Sequence, residues 1–499
     1  MNPIESVIAF VSPGRALARA RDRAALQIIT ARYDAATSTN RGKSWRPNGN
    51  DADAAAAQRS KLSFVARDMV RNTAFATRAQ QVIANNVVGN GIIPKVVIKS
   101  KSQHEKILAV IEAHFDSTDI DANGLMNLYG LQRLAINTIV ESGEVLIRRR
   151  RRNRTDGFTV PFQIEVLEPD FLADIKDGPN GQDRNQIRDG IEYNQIGQRV
   201  AYWLYYEHPG ASRRLGVGLN REVRRVPASE ILHIFDPKRP GQMRGVSWFA
   251  PVAMLLQDQA DYQDAQLMRQ KIAACFTAFR RMPEGDTIEK AEARSAASMV
   301  PGRIETLLPG EEITFGTPPG VDGADEFTRG VLRAVSAGMG ITYESMTGDL
   351  SQVSFASGRL GRSEMNRNVS CWQWLMMVPQ FLQPLAAWTI EAYEITYGKL
   401  PKGSKIEWVP PAREVVDITR EVAANIKKVE AGLASRSSLI RADGEDPERV
   451  NAEIEADQIE ADSRRLIFST DRRPVAPVVL KEPKAAPVLD EAGQNPAKA

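Results

Sequence analysis

The densest chemistry in the sequence is a run of arginines. Arg148, Arg149, Arg150, Arg151 and Arg152 are consecutive, and Arg154 follows. Guanidinium groups at that spacing can grip phosphates, and affinity for nucleic acid grows with each phosphate neutralised. The same block can be a solvated strand edge, where charge discourages unwanted pairing. Blocks of like charge are commonly solvated faces, so the second reading weighs more from sequence alone. Arg41-Gly42-Lys43-Ser44 ends like a phosphate-binding loop, but Thr37 stands where that loop needs its first glycine. Without it the backbone amides have no reason to wrap a phosphate, and an ATP site is excluded there. His233 could serve as a base, yet no partner set accompanies it. A core histidine is the plainer reading.

A second stretch is notable for the charge it lacks. Residues 341–358 are rich in Ser, Thr and Gly and hold no Lys, Arg, His or Cys. Their polar side chains include Asp349, Ser351, Gln352, Ser354 and Ser357, with Arg359 and Arg362 just beyond. A loop of this length inside a compact domain is uncommon and is usually functional or disordered. Elsewhere no His-Glu-x-x-His, Cys-x-x-Cys or Gly-x-Ser-x-Gly occurs, and no carboxylate spacing singles out a metal site. No cofactor and no metal is expected, and the residues alone point to no active site.

The elements that must carry these residues follow from periodicity and breakers. Residues 52–88 read as helix broken at Asn72-Thr73, residues 92–98 as a strand, and 103–115 and 125–141 as helices. A hairpin of 145–150 with 158–167 would put the arginines at its tip. Residues 191–194 and 200–206 form another strand pair, and 231–235 a short buried strand. A long helix over 251–279 is polar on most sides, which suits packing against neighbouring chains. A hairpin over 304–315 should turn at Leu308-Pro309-Gly310-Glu311, ahead of a helix at 326–337. Residues 359–397 read as a long helix interrupted by Pro379 and Pro384, with Trp372, Leu375, Met376, Phe381, Leu385 and Trp388 on its apolar face. Helices at 413–431 and 437–442 precede an acidic one opened by Asp446-Pro447-Glu448. The class is α/β in the broad sense (α+β, helix-rich), with several domains.

Composition agrees with a folded protein. The 499 residues are 42% hydrophobic and 25% charged. A net charge of +3, from 65 basic and 62 acidic residues, is too balanced to imply nucleic-acid binding by itself. Residues 1–50 form a basic arm of 8 − 3 = +5, either a solvated terminus or an arm lying on a partner or nucleic acid. The Pro-rich tail, 469–499, reads as disordered. Cys275 and Cys371 sit in apolar helical contexts and suggest reduced core thiols. No apolar run approaches the roughly 18 residues that span a bilayer. An intracellular, soluble protein without membrane contact is expected.

Several short stretches, in order, carry a resemblance. They include Arg67-Asp68-Met69-Val70-Arg71-Asn72, Asn86-Val87-Val88-Gly89-Asn90-Gly91-Ile92, Ser142-Gly143-Glu144-Val145-Leu146 and Leu167-Glu168-Pro169-Asp170. The most distinctive is Arg239-Pro240-Gly241-Gln242-Met243-Arg244-Gly245-Val246-Ser247-Trp248, followed later by Thr347-Gly348-Asp349-Leu350-Ser351. Over residues 33–462 the chain resembles the lambda-type portal proteins of tailed bacteriophages. The resemblance implies a dodecameric ring at one capsid vertex that conducts double-stranded DNA during packaging and ejection. It implies no enzymatic activity. It also implies docking of the terminase large subunit and of neck proteins, contact with the major capsid protein and scaffold, and assembly in the host cytoplasm into the virion. The implied parts are a wing (51–257 and 359–412), stem helices (258–279 and 323–340), a clip (280–322) with Arg280 and Arg281, a tunnel loop (341–358) and crown helices (413–468). Asp349, Ser351, Gln352, Ser354, Ser357, Arg359 and Arg362 would then line or border the channel. Arg148 to Arg152 and Arg154 stay open as a DNA or interface cluster. The competing expectation is an enzymatic packaging subunit, a motor or nuclease, against which the missing phosphate loop counts.

Overall fold

A computed structural model of the chain describes positions 12 and 14 and residues 49–53, 56–98, 101–180, 184–211, 222–275, 279–281, 312–314, 323–412 and 418–466. The basic arm, the Pro-rich tail and most of 282–322 therefore lie outside the described residues.

The helices are α1 (Arg59–Asn72), α2 (Ala74–Val87), α3 (Lys101–Asp116), α4 (Leu128–Ser142), α5 (Ala253–Cys275), α6 (Ala324–Met339), α7 (Tyr343–Thr347), α8 (Phe355–Cys371), α9 (Gln383–Tyr397), α10 (Ile418–Glu430), α11 (Arg436–Ala442) and α12 (Pro447–Arg464). A π-helix, Trp372–Leu382, joins α8 to α9 without a break. The strands are β1 (Ile93–Val97), β2 (Glu144–Arg151), β3 (Phe162–Leu167), β4 (Gly178–Asn180), β5 (Asn185–Arg188), β6 (Ile191–Tyr193), β7 (Arg199–Tyr205), β8 (Val223–Pro227), β9 (Ile231–Phe235), β10 (Phe279–Arg281), β11 (Glu312–Thr314) and β12 (Lys405–Val409).

All pairings between named strands are antiparallel. One sheet runs β3-β2-β9 and a second is the meander β4-β5-β6-β7-β8. Two further pairs are β1 with β12 and β10 with β11. The main core lies among α1, α2, α4, β2, β3 and the long helix around Phe381 and Leu385. A smaller apolar cluster of Leu146, Leu167, Tyr202, Leu204, Val226 and Ile231 joins the two larger sheets. Strand β2 serves both, because alternate side chains point to opposite faces. Val145 and Ile147 enter the main core, while Leu146 faces the smaller cluster.

Several expectations hold. The first helix does break at Thr73, whose extended backbone (φ −114°) separates α1 from α2. Asp446 caps α12 through the amide of Glu448. Others need correction. The helix expected over 251–279 is Ala253–Cys275, and Phe279 already belongs to β10. The backbone of β11 pairs with β10, so Phe279 lies opposite Thr314, a pairing not expected from sequence. The 304–311 half of the hairpin expected over 304–315 lies outside the described residues. Helix α10 begins at Ile418, with 413–417 also outside. Cys371 is exposed on α8, whose buried stripe is Met365 and Val369. The side chain of Cys275 lies outside the description. Leu375 is 71% exposed, so it leaves the apolar face assigned to it.

Candidate nucleic-acid channel surface

The stretch 341–358, read as one polar loop, is half helical. Thr342 caps α7 by accepting from the Ser345 amide at 3.2 Å. Gly348, with φ +74°, ends α7 in the left-handed conformation that glycine tolerates. Ser354 then caps α8 reciprocally with Ser357. Only residues 348–354 remain as a connection. Asp349 organises it by accepting from Ser351 Oγ (2.6 Å), the Ser351 amide (3.0 Å) and the Tyr343 hydroxyl (3.2 Å). These donors, that of Ser351 above all, hold the Asp349 carboxyl below its usual range.

The structure thus brings Asp349 to Ser351 and Ser354 to Ser357, all on one bend. Gln352 and Arg359 are exposed beside them. Arg362 instead turns inward and lines a cleft of about 820 Å³ between α2, α7 and α8, near Arg78 and Arg133. Sequence reading missed the apolar residues at the tip. Leu350, Phe355 and Leu360 are 68%, 55% and 74% exposed. The bend therefore presents hydroxyl, amide, apolar and Asp349 carboxylate atoms, with Arg359 exposed at its side and Arg362 set back in the cleft.

This bend sits at the base of a two-helix arm. Helices α5 and α6 lie side by side through Gln259 with Thr328 (3.2 Å) and the rings of Tyr262 and Phe327. The ladder β10–β11 connects beyond α5. Arg280 lies opposite Ile313 and Arg281 opposite Glu312 in that ladder, and their side chains lie outside the description. On the arm the apolar residues Met254, Leu267 and Met268 are exposed, and Phe327 is half-exposed beside the Tyr262 ring.

The arginine run is not a free tip. Strand β2 is the central strand of its sheet as far as Arg148, and Arg149 to Arg151 pair with β3 alone, so that part keeps one open edge. Arg149 is buried, with Nη1 on Glu391 at 2.5 Å and Nη2 on the Trp388 carbonyl at 3.3 Å. Arg150 pairs with Glu165 at 2.9 Å, and Arg151 with Glu230 (2.8 Å) and Glu391 (3.2 Å). Arg152 donates to Gln163 and Arg154 to the Thr396 carbonyl. Arg148 alone of the six makes no such bond to a described residue. The run is chiefly a clamp between β2 and α9, which sequence could not show because Glu391 lies far along the chain.

A second buried network was also missed. Glu144 accepts from Arg244 Nε (2.7 Å), the Gly245 amide (2.7 Å) and His233 Nε2 (2.8 Å). Burial would raise its pKa, but Arg244 and His233 outweigh that and hold it ionised. Burial pushes the His233 pKa down. Gly143 and Gly245 pass so closely that a Cβ on either would enter the other strand of chain. His233 is a core histidine, here with partners, and its ring has no approach from solvent. Glu168, Asp170 and His208 could converge on a cation, but the Arg67 guanidinium already pairs with both carboxylates.

The comparisons agree with this architecture. Residues 38–373 match the description phage portal protein, lambda family. A probable portal protein of Halomonas phage phiHAP-1 is 28% identical over 470 residues, with 86% of each chain covered. Portal protein B of Escherichia phage lambda is 22% identical over 468 residues, covering 82% of this chain and 86% of that one. Among solved structures, a chain of the virion of a native gene transfer agent particle gives a TM-score of 0.48 at 16% identity, covering 81% of this chain and 96% of that one. The chain belongs to the lambda family of phage portal proteins. Its function is that of a portal, the channel used in packaging viral DNA.

Proposed function

We propose that the chain assembles as a closed ring, a dodecamer, at one vertex of the virion, and that double-stranded DNA passes through it without sequence readout. The observation that carries this reading is the family match across residues 38–373. The arm α5–α6 acts as the stem, β10–β11 opens the clip with Arg280 and Arg281, and α10 to α12 form the crown. The bend 341–358 is the constriction. Its surface supports that role physically. Each neutralised phosphate adds affinity, so a wall of Ser, Gln and apolar groups confines DNA without gripping it. Arg359 at the side of the wall and Arg362 behind it serve as phosphate or interface contacts. The exposed apolar residues of the arm fit burial against neighbouring subunits.

The role is structural rather than enzymatic. The terminase large subunit docks on the clip, and neck proteins later take its place. The major capsid protein and scaffold surround the wing during assembly in the host cytoplasm. Imaging of the purified full-length protein tests the ring: closed particles with a central channel are expected, and a monomer under all conditions would overturn the reading. Deleting residues 349–357 should leave rings intact and abolish packaging or retention of DNA. Ring loss on that deletion would make the bend structural. ATP hydrolysis or metal-dependent DNA cleavage by the purified chain would favour the enzymatic alternative.

A further inference from the structure

The cleft between the two larger sheets holds more positive charge than the described residues neutralise. It measures about 330 Å³ and is lined by Arg148 to Arg152 on and just after β2, Arg224 and Arg225 on β8, and Glu230. Four carboxylates answer these seven arginines. Glu391 serves Arg149 and Arg151, Glu230 serves Arg151, Glu165 serves Arg150, and Glu192 serves Arg225. The difference, 7 − 4, leaves three cations without a counter-charge among the described residues. One is Arg152, whose Nε donates to the neutral Gln163 at 2.7 Å. The other two, Arg148 and Arg224, have no hydrogen-bonded or ion-paired partner among the described residues. Arg224 only rests over the Tyr206 ring, 4.9 Å from its centroid.

Strand alternation explains why both point into the same space. Arg148 shares a face of β2 with Leu146, and Arg224 shares a face of β8 with Val226. Leu146 and Val226 both belong to the apolar cluster between the sheets. The two guanidinium groups are therefore drawn to its margin, half-buried, with Nε of each and Nη1 of Arg148 shut off from solvent. Burial pulls the Arg224 pKa down with no opposing carboxylate. Desolvating an unpaired cation is costly, and a native structure that does so calls for a missing partner.

We propose that this cleft is an oxyanion site that takes a phosphate group, held by Arg148 and Arg224 with Arg152 at its rim. Two planar guanidinium forks match the several acceptor oxygens of a phosphate dianion, whereas a single carboxylate answers only one of them. The group can come from free phosphate or from a nucleic-acid backbone. The recessed position favours the free ion: a duplex backbone lies on a convex rod and cannot follow the guanidinium groups between two sheets.

Titrating the purified full-length chain with inorganic phosphate, at ionic strength held constant with sodium chloride, tests the site. Saturable binding and a Tm that rises with phosphate are expected. Arg148→Gln and Arg224→Gln should each weaken binding about tenfold or more, as the loss of a charged hydrogen bond implies. Arg367→Gln, on the exposed side of α8, should leave it unchanged. In phosphate-free buffer Arg148→Gln should melt no lower than the parent, because the charge it removes has no partner. A lower Tm there would reveal a structural partner and overturn the proposal. So would absent phosphate binding, equal binding by every variant, or a duplex oligonucleotide that binds through these arginines where free phosphate does not. Loss of rings in the variants without any phosphate binding would assign the cleft to a neighbouring subunit's carboxylate instead.

Discussion

The body around β2 and the arm α5–α6 treat side chains in opposite ways. In the body, many polar groups withdrawn from solvent find partners, Arg148 and Arg224 being exceptions. Gln132 exchanges two hydrogen bonds with the Ile92 backbone, Gln380 does the same with Phe235, and Glu144 satisfies three donors. In the arm, large apolar groups are exposed: Leu267 is 50% exposed and Met268 58%. The body is packed within the chain, whereas the arm leaves apolar surface of the kind that neighbouring subunits cover.

That contrast can be broken hardest at Glu144. Glu144→Gln leaves Arg244 buried without a counter-charge, and unfolding in denaturant should show a loss of about 3–5 kcal/mol. Next comes His114, buried between Phe115 and Phe162. Burial lowers its pKa from 6.5 to about 4. Between those values the unfolded chain binds the extra proton, so this contribution is complete above pH 6.5 and is lost as pH falls toward 4. The full swing is about 3 kcal/mol, and His114→Phe should flatten the pH–stability curve over that window. Gln380→Leu leaves the Phe235 amide and carbonyl unpaired and should cost about 1–3 kcal/mol in the same denaturation assay. The smallest effect belongs to the arm. Leu267→Glu should change protomer stability by less than about 0.5 kcal/mol, as surface substitutions do. Native mass measurement should nevertheless show its assembly impaired. A large loss of protomer stability would mean that Leu267 packs within its own chain.

How much of this was legible depends on distance along the chain. The break at Thr73, the cap at Asp446 and the core nature of His233 rest on neighbours and on local pattern, and sequence showed them. The helices at 343–347 and 355–371 were also written locally, as Thr342 three residues before Ser345 and Ser354 three before Ser357. Attention to the hydroxyl-rich composition hid those caps behind a loop. The arginine clamp was out of reach, because the paired face of β2 is decided by Glu230 and Glu391. Strand β12 was missed for the same reason: it exists by pairing with β1 across most of the chain.

The π-helix between α8 and α9 has a consequence for how the long helix is read by its surroundings. Gln373 donates to the Val87 carbonyl at the end of α2, while Gln380 binds the outer edge of β9. Seven residues apart, they would share one side of an α-helix. The wider turns, which also accommodate Pro379, shift the phase, so one unbroken rod addresses two elements in different directions. A one-residue insertion or deletion in this segment could be absorbed as a change in its winding. The same event elsewhere in the rod would turn every later side chain by about 100°.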